Sequence, residues 1–177
     1  MQRLLKDYQE LSNIYTVYPI KDSIDNFYII IKGNDNSPYE NIPFIFVFNV
    51  TNEYPFKPPN VKYISFTNAN IHPNLYTNGK VCLTTLGTYI GPDSSNLNKT
   101  CGWTPVMTLL SVARSIQSIL HETPLLQEPC LVGEITNHRI QAYNDRVKKE
   151  CMDSLQNYKS LNLPLFIKHK IDEIVNA

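Results

Sequence analysis

A thiol at Cys82, eight residues after Asn74 in the run His72-Pro73-Asn74, puts a nucleophile and an amide side chain on one segment. A thiol is the natural covalent carrier for an acyl group. An amide NH₂ is a reasonable donor to the oxyanion that develops when such a group is attacked. Taken singly, both residues have plainer readings. A lone Cys is more often a small buried apolar residue, and a lone Asn in a loop usually makes turn bonds. The other cysteines, Cys101, Cys130 and Cys151, are widely spaced, and the sequence holds no CxxC pair. Zinc ligation is therefore not expected. A disulfide framework is not expected either in a chain of this size without a secretory signal.

The segment Phe66–Gly102 that carries this chemistry has little regular period and is dominated by Asn, Gly, Pro and Thr. An irregular stretch of that length inside a compact domain points to function. The elements that must position it are legible on either side. Leu4, Leu5, Tyr8 and Leu11 recur at helical spacing, which predicts an amphipathic helix over 2–12. Strands are predicted at Ile14–Ile20, Phe27–Lys32, Pro43–Val50 and Val61–Ile64, with a turn over Gly33–Pro38. The run Tyr54-Pro-Phe-Lys-Pro-Pro59 cannot continue a ladder and must be a rigid loop.

After the irregular segment, Leu109, Leu110, Ala113, Ile116, Gln117 and Leu120 predict a helix over Val106–Leu120. Thr104 suits its cap and Pro105 its first turn. Further helical patterns cover about 136–158 and 164–175. The fold class is α+β: an N-terminal helix, a four-stranded antiparallel meander, a central helix and C-terminal helices.

Composition narrows the function classes. Sixteen basic residues balance sixteen acidic ones, so no broad attraction to nucleic acid or an anionic membrane is expected. The longest apolar stretches, Phe27–Ile31 and Phe44–Phe48, are strand-sized and too short to span a bilayer. Met1–Glu10 has no apolar signal-peptide core. The expectation is a soluble intracellular protein of cytoplasm or nucleus.

Several of these pieces, in this order, resemble the ubiquitin-conjugating enzyme family. The family's His-Pro-Asn motif stands as His72-Pro73-Asn74, and its catalytic Cys, eight residues after the Asn, stands as Cys82. Its Tyr-Pro-Phe-x-Pro-Pro loop stands at 54–59, its Ser-Pro-Tyr with a later Phe as Ser37-Pro38-Tyr39 and Phe44, and its Trp-Ser/Thr-Pro as Trp103-Thr104-Pro105. The resemblance runs from residue 1 to about 154. It implies that Cys82 accepts the C-terminal glycine of ubiquitin from an activating enzyme and passes it to a lysine of a protein substrate, usually with a ubiquitin ligase. Asn74 would stabilise the oxyanion or hold the loop, and His72 and Pro73 would shape it. Arg3 and Lys6 match basic positions that meet the activating enzyme. Phe56, Trp103 and Pro105 match the loops where ligases dock, with packing between loop and helix an equal reading for Trp103. Glu128, in Gln127-Glu128-Pro129-Cys130, matches the position that orients the substrate amine, and its carboxylate would attract the ammonium and accept its proton late. No metal or cofactor is implied, since ATP is spent by the activating enzyme.

The sequence also departs from the common pattern. The Cys82–Trp103 separation is longer than in the smallest members, with an insert at Thr88–Gly102 that is not acidic and carries Asp93 and Lys99. Leu86-Gly87-Thr88-x-x-Gly91 and Glu128-Pro129 look more like the larger members, which include one linked to an alternative activating enzyme. Thr84 stands where the family often has Asp, and Asn41 and Ile42 replace two usual glycines. The catalytic domain is assigned to 1–158, and 159–177 to a C-terminal helical extension packed on it. Two other readings stand beside the leading one: conjugation of a ubiquitin-like modifier, or a non-catalytic variant that serves as a binding module.

Overall fold

The computed structural model describes residues 2–89, 102–127 and 135–176. The chain opens with α1 (Gln2–Ser12), then four strands, β1 (Thr16–Ile20), β2 (Ser23–Lys32), β3 (Pro43–Asn49) and β4 (Asn60–Ile64). The strands pair antiparallel in chain order, so the sheet is the expected meander. The first strand is shorter than predicted. The backbone N–H groups of Ile14 and Tyr15 both donate to Leu11 O, which ties them to the end of α1. The second strand starts earlier than predicted. Lys21 and Asp22 have φ of 54° and 57°, the two left-handed residues of a tight hairpin turn, so Ser23 already pairs with Ile20.

Register assigns each face of the sheet. Phe27 lies opposite Phe48, Ile29 opposite Phe46 and Ile31 opposite Phe44, and all six are buried. The ring of Tyr8 meets Phe27 edge-on at 5.1 Å, which places α1 on this face. On the alternate face Ile30 lies opposite Ile45, and Ile45 opposite Ile64. Ile30 and Ile45 are as buried as the inner set, so this face is covered too. The cover is α4 (Leu165–Val175): it packs on β3, Phe166 stacks on Tyr18 at 5.2 Å, and Ile167 and Ile171 are buried.

The central helix α2 runs over Leu109–Ile119, three residues shorter at its start than predicted. Thr108, not Thr104, caps it. Its hydroxyl accepts from Ser111 N–H at 3.1 Å, and Ser111 Oγ accepts from Thr108 N–H at 3.0 Å. This reciprocal pair satisfies two otherwise orphaned donors, so the helix begins there. Pro105 consequently lies in the preceding loop, where Thr104 O accepts from Met107 N–H. The buried stripe comprises Leu109, Val112, Ala113, Ile116 and Ile119, with Leu120 just past the end. Leu110 and Gln117 sit at its margin. The next helix, α3 (Asn137–Ser154), is capped by Thr136 and gives way to a 3₁₀ turn over Leu155–Lys159. The turn buries Tyr158, whose hydroxyl donates to Pro43 O at 2.6 Å.

Asn41 accepts the role of a lost glycine: it takes φ of 61°, while Ile42 is buried and its N–H donates to Tyr39 O. Among the described residues no helix is long and apolar enough to cross a membrane.

Candidate active site

His72 organises the segment between β4 and α2. It is 2% exposed, beside the ring of Tyr39 at 5.6 Å. Its Nδ1 accepts from the backbone N–H of Asn74 at 2.9 Å, so Nε2 carries the proton and donates to Ile119 O at 2.8 Å. One ring thus ties the loop to the end of α2. Burial lowers the pKa of His72 to about 4, and the ring is neutral at physiological pH. A neutral ring with both nitrogens engaged is not placed to act as a base.

Asn74 and Cys82 face each other across the loop. Cys82 N–H donates to Asn74 O at 2.8 Å, and Asn74 Nδ2 donates to Cys82 O at 2.9 Å. Asn74 therefore grips the peptide groups of Cys82 with one backbone and one side-chain bond. Its amide nitrogen has a second N–H, the group available to an oxyanion. Asn74 Oδ1 is buried with no hydrogen-bond partner among the described residues.

Beyond Cys82 a 3₁₀ turn over Thr84–Leu86 ends at Gly87, whose φ of 65° reverses the chain. The reversal brings Thr88 back to Cys82. Thr88 Oγ1 donates to Val81 O at 2.6 Å and accepts from Leu83 N–H at 2.9 Å, while Thr88 O lies 3.5 Å from Cys82 Sγ, which donates to it. Cys82 itself is 8% exposed and opens on a cleft of about 280 Å³, whose lining includes Asn74, Thr85, Tyr89, Ser118 and Gln127. Gln127 reaches it from the 3₁₀ turn Pro124–Gln127, with its side-chain amide 2.8 Å from His121 Nε2.

The other cysteine among the described residues behaves differently. Cys151 is fully buried, and burial pushes its thiol up to about 12, which suits a core residue and not a nucleophile. Glu128, Cys101 and Cys130, and all of the 88–102 insert except Thr88, Tyr89 and Gly102, lie outside the described residues.

Pro73 is half-buried between His72 and Asn74. The remaining sequence-selected residues fall on one side of α1 and the loops beside it. Phe56 is 79% exposed and Pro105 is exposed, and the loops that bear them are joined by Trp103. Its indole N–H donates to Pro55 O at 2.7 Å and its ring lies 5.9 Å from Tyr54. Trp103 is itself buried, so it fastens the loops together and presents little surface of its own. Lys6 is exposed, but Arg3 is engaged: Nε donates to buried Asp7 at 2.8 Å and Nη2 to Met107 O at 2.9 Å. Asp7 also accepts from the Tyr54 hydroxyl. Sequence reasoning missed Val106, 83% exposed beside Pro105, because it was absorbed into the predicted helix. It also missed Gln127 and Thr88, whose placement depends on long-range folding and on the Gly87 reversal.

Comparison with known proteins agrees with this geometry. The ubiquitin-conjugating enzyme family model matches residues 2–151. The human ubiquitin-conjugating enzyme E2 Z is 34% identical over 158 residues, covering 84% of this chain and 42% of that protein. The chain thus spans less than half the length of that relative. The Kluyveromyces lactis ubiquitin-conjugating enzyme E2 2 is 31% identical over 155 residues, covering 84% of each. A solved Toxoplasma gondii ubiquitin conjugating enzyme E2 domain superposes with a TM-score of 0.65 at 22% identity, over 86% of this chain and 96% of that one.

Proposed function

Because the chain belongs to the ubiquitin-conjugating enzyme family, we propose that it carries ubiquitin as a thioester on Cys82 and delivers it to a lysine of a target protein. The observation that carries this reading is the grip of Asn74 on Cys82: two bonds of 2.8 and 2.9 Å hold the thiol at the mouth of a cleft, beside an amide with a further N–H to give.

In the first step Cys82 gives its thiol proton to solvent, and its sulfur attacks the thioester carbonyl of ubiquitin held by an activating enzyme. A new C–S bond forms, and the activating enzyme's sulfur leaves and takes up a proton. In the second step a lysine amine attacks the same carbonyl. A C–N bond forms, the C–S bond breaks, and Cys82 leaves as the thiolate. The ammonium proton passes to a base or to solvent, and we assign the part of that base to Glu128. The oxyanion of each tetrahedral intermediate is met by the second N–H of Asn74, a fixed donor needing little reorganisation during the reaction. His72 acts only through the loop it holds. The chain itself needs neither ATP nor a cofactor.

Phe56, Pro105 and Val106 form the ligase docking face, with Trp103 holding the two loops in register. Lys6 and Arg3 serve the activating enzyme. Residues 1–158 are the catalytic domain, and 159–177 an extension that covers the outer sheet face.

The test is to incubate the chain with ubiquitin, an activating enzyme and ATP. A species heavier by one ubiquitin that disappears on adding thiol reductant supports the reading. If no such species forms with ubiquitin but one forms with a ubiquitin-like modifier, the modifier is wrong and the chemistry stands. If none forms with either, the acyl-carrier reading fails and a non-catalytic binding module takes its place.

A further inference from the structure

We propose that Thr88 is a positioning residue for Cys82, holding the nucleophile through both of its neighbouring peptides. The inference rests on the reading of Cys82 as an acyl carrier and adds a residue to its machinery. An acyl carrier must present its sulfur along one direction to two partners in turn, the incoming thioester and the attacking amine. A displacement of about 1 Å costs such a reaction on the order of 100-fold. Cys82 lies in neither a helix nor a strand, so no regular ladder fixes it. Its orientation must come from individual hydrogen bonds.

Asn74 supplies two of these, to the N–H and C=O of Cys82 itself. Thr88 supplies more, to the residues on either side. Its hydroxyl has one proton to give, and Val81 O at 2.6 Å is the nearer acceptor, with Leu83 O at 3.2 Å. Its oxygen then accepts the N–H of Leu83 at 2.9 Å. The peptides before and after Cys82 are therefore bridged by a single atom. Thr88 is half-buried, so water competes weakly for these bonds. The Thr88 backbone joins in: its N–H donates to Leu83 O at 3.2 Å, and its carbonyl faces Cys82 Sγ at 3.5 Å. A β-branched side chain has few χ1 choices, so the bridge is rigid. The turn that delivers Thr88 closes at Gly87, whose left-handed backbone admits other residues only with strain.

The bridge is tested on the full chain by comparing Thr88→Val, which keeps the shape and loses the hydroxyl, with Thr88→Ser, which keeps the hydroxyl. Single-turnover discharge of the Cys82 thioester to free lysine is followed as a function of lysine concentration, with circular dichroism to verify folding. For Thr88→Val the saturating rate should fall about tenfold, corresponding to the loss of roughly two modest hydrogen bonds. The lysine concentration at half-saturation should not move. Thr88→Ser should stay within about twofold of the native rate, as expected when the hydroxyl is what matters. A native rate for Thr88→Val, or an equal loss in Thr88→Ser, overturns the inference. Amide hydrogen exchange gives a readout independent of ubiquitin: Leu83 N–H should lose protection in Thr88→Val and retain it in Thr88→Ser. Unchanged Leu83 protection in the Val variant also overturns the bridge. A native chain that never forms a thioester would sink the acyl-carrier reading alone, since the Leu83 signal still decides whether Thr88 bridges.

Discussion

Through His72, acidification should unlock the loop that carries Asn74 and Cys82. In the folded chain burial depresses this histidine to about 4, against an ordinary value near 6.5 once unfolded. Between those values the unfolded chain binds a proton that the folded chain excludes. Stability is thus fully present above pH 6.5 and is lost as the pH falls towards 4, by about 1.4 kcal/mol per unit. Between pH 7 and pH 5 the loss from this one group is about 2 kcal/mol, which in a domain of this size lowers the melting temperature by about 4–8 °C. The geometry gives the same sign. With Nδ1 accepting from Asn74 N–H, a second ring proton has nowhere to go without breaking that bond. The assay is urea denaturation at pH 7, 6 and 5, comparing the native chain with His72→Gln. The variant will be less stable at pH 7, but its stability should fall less steeply with acid. His121 is also depressed by partial burial, yet it is common to both proteins and cancels in the difference. Equal pH slopes for the two proteins would refute the reasoning.

Three further outcomes follow from packing, from turn geometry and from the role proposed for Glu128. Ile167→Ala, at a fully buried position of α4, should cost about 2–5 kcal/mol, whereas Leu165→Ala, 69% exposed on the same helix, should lie within about 0.5 kcal/mol of native by thermal melting. Equal effects would show that α4 is not seated on the sheet. Lys21→Gly should stabilise the β1–β2 hairpin by several tenths to about 1 kcal/mol, because Lys21 sits at φ 54° and glycine does not resist that backbone; a lower melting temperature would contradict this. Glu128→Ala should slow thioester discharge to lysine by on the order of 100-fold while sparing thioester formation, as for loss of a general base at the low end of its usual contribution. Discharge at the native rate would remove that role.

What could be read from the sequence is what local chemistry decides. The strands declared themselves through β-branched and aromatic runs such as Phe44–Phe48, and α1 through Leu4, Tyr8 and Leu11 at helical spacing. The start of α2 was misplaced because Thr104-Pro105 is a good cap by type. The competing cap, Thr108 with Ser111, is a two-residue arrangement that only geometry distinguishes. The hairpin at Lys21-Asp22 was obscured because Lys21 is not a usual left-handed former and no glycine marks the turn, which the pairing of the flanking strands imposes. The pairing of Cys82 with Asn74 was visible as a spacing of eight residues, but not the bonds that make it. Thr88 was invisible as a contact, since it depends on the reversal at Gly87. Trp103 read from its motif either as a ligase contact or as packing between loop and helix, and its burial beside Tyr54 favours packing.

The most direct test of the central claim replaces sulfur by oxygen at one atom. Cys82→Ser, incubated with ubiquitin, an activating enzyme and ATP, should yield a conjugate heavier by one ubiquitin that survives thiol reductant and is cleaved by hydroxide, as an oxygen ester is. Cys82→Ala should yield none, and peptide mapping should place the ester on residue 82. A reductant-labile ubiquitin adduct persisting in Cys82→Ala would place the acyl group on another cysteine and contradict the account.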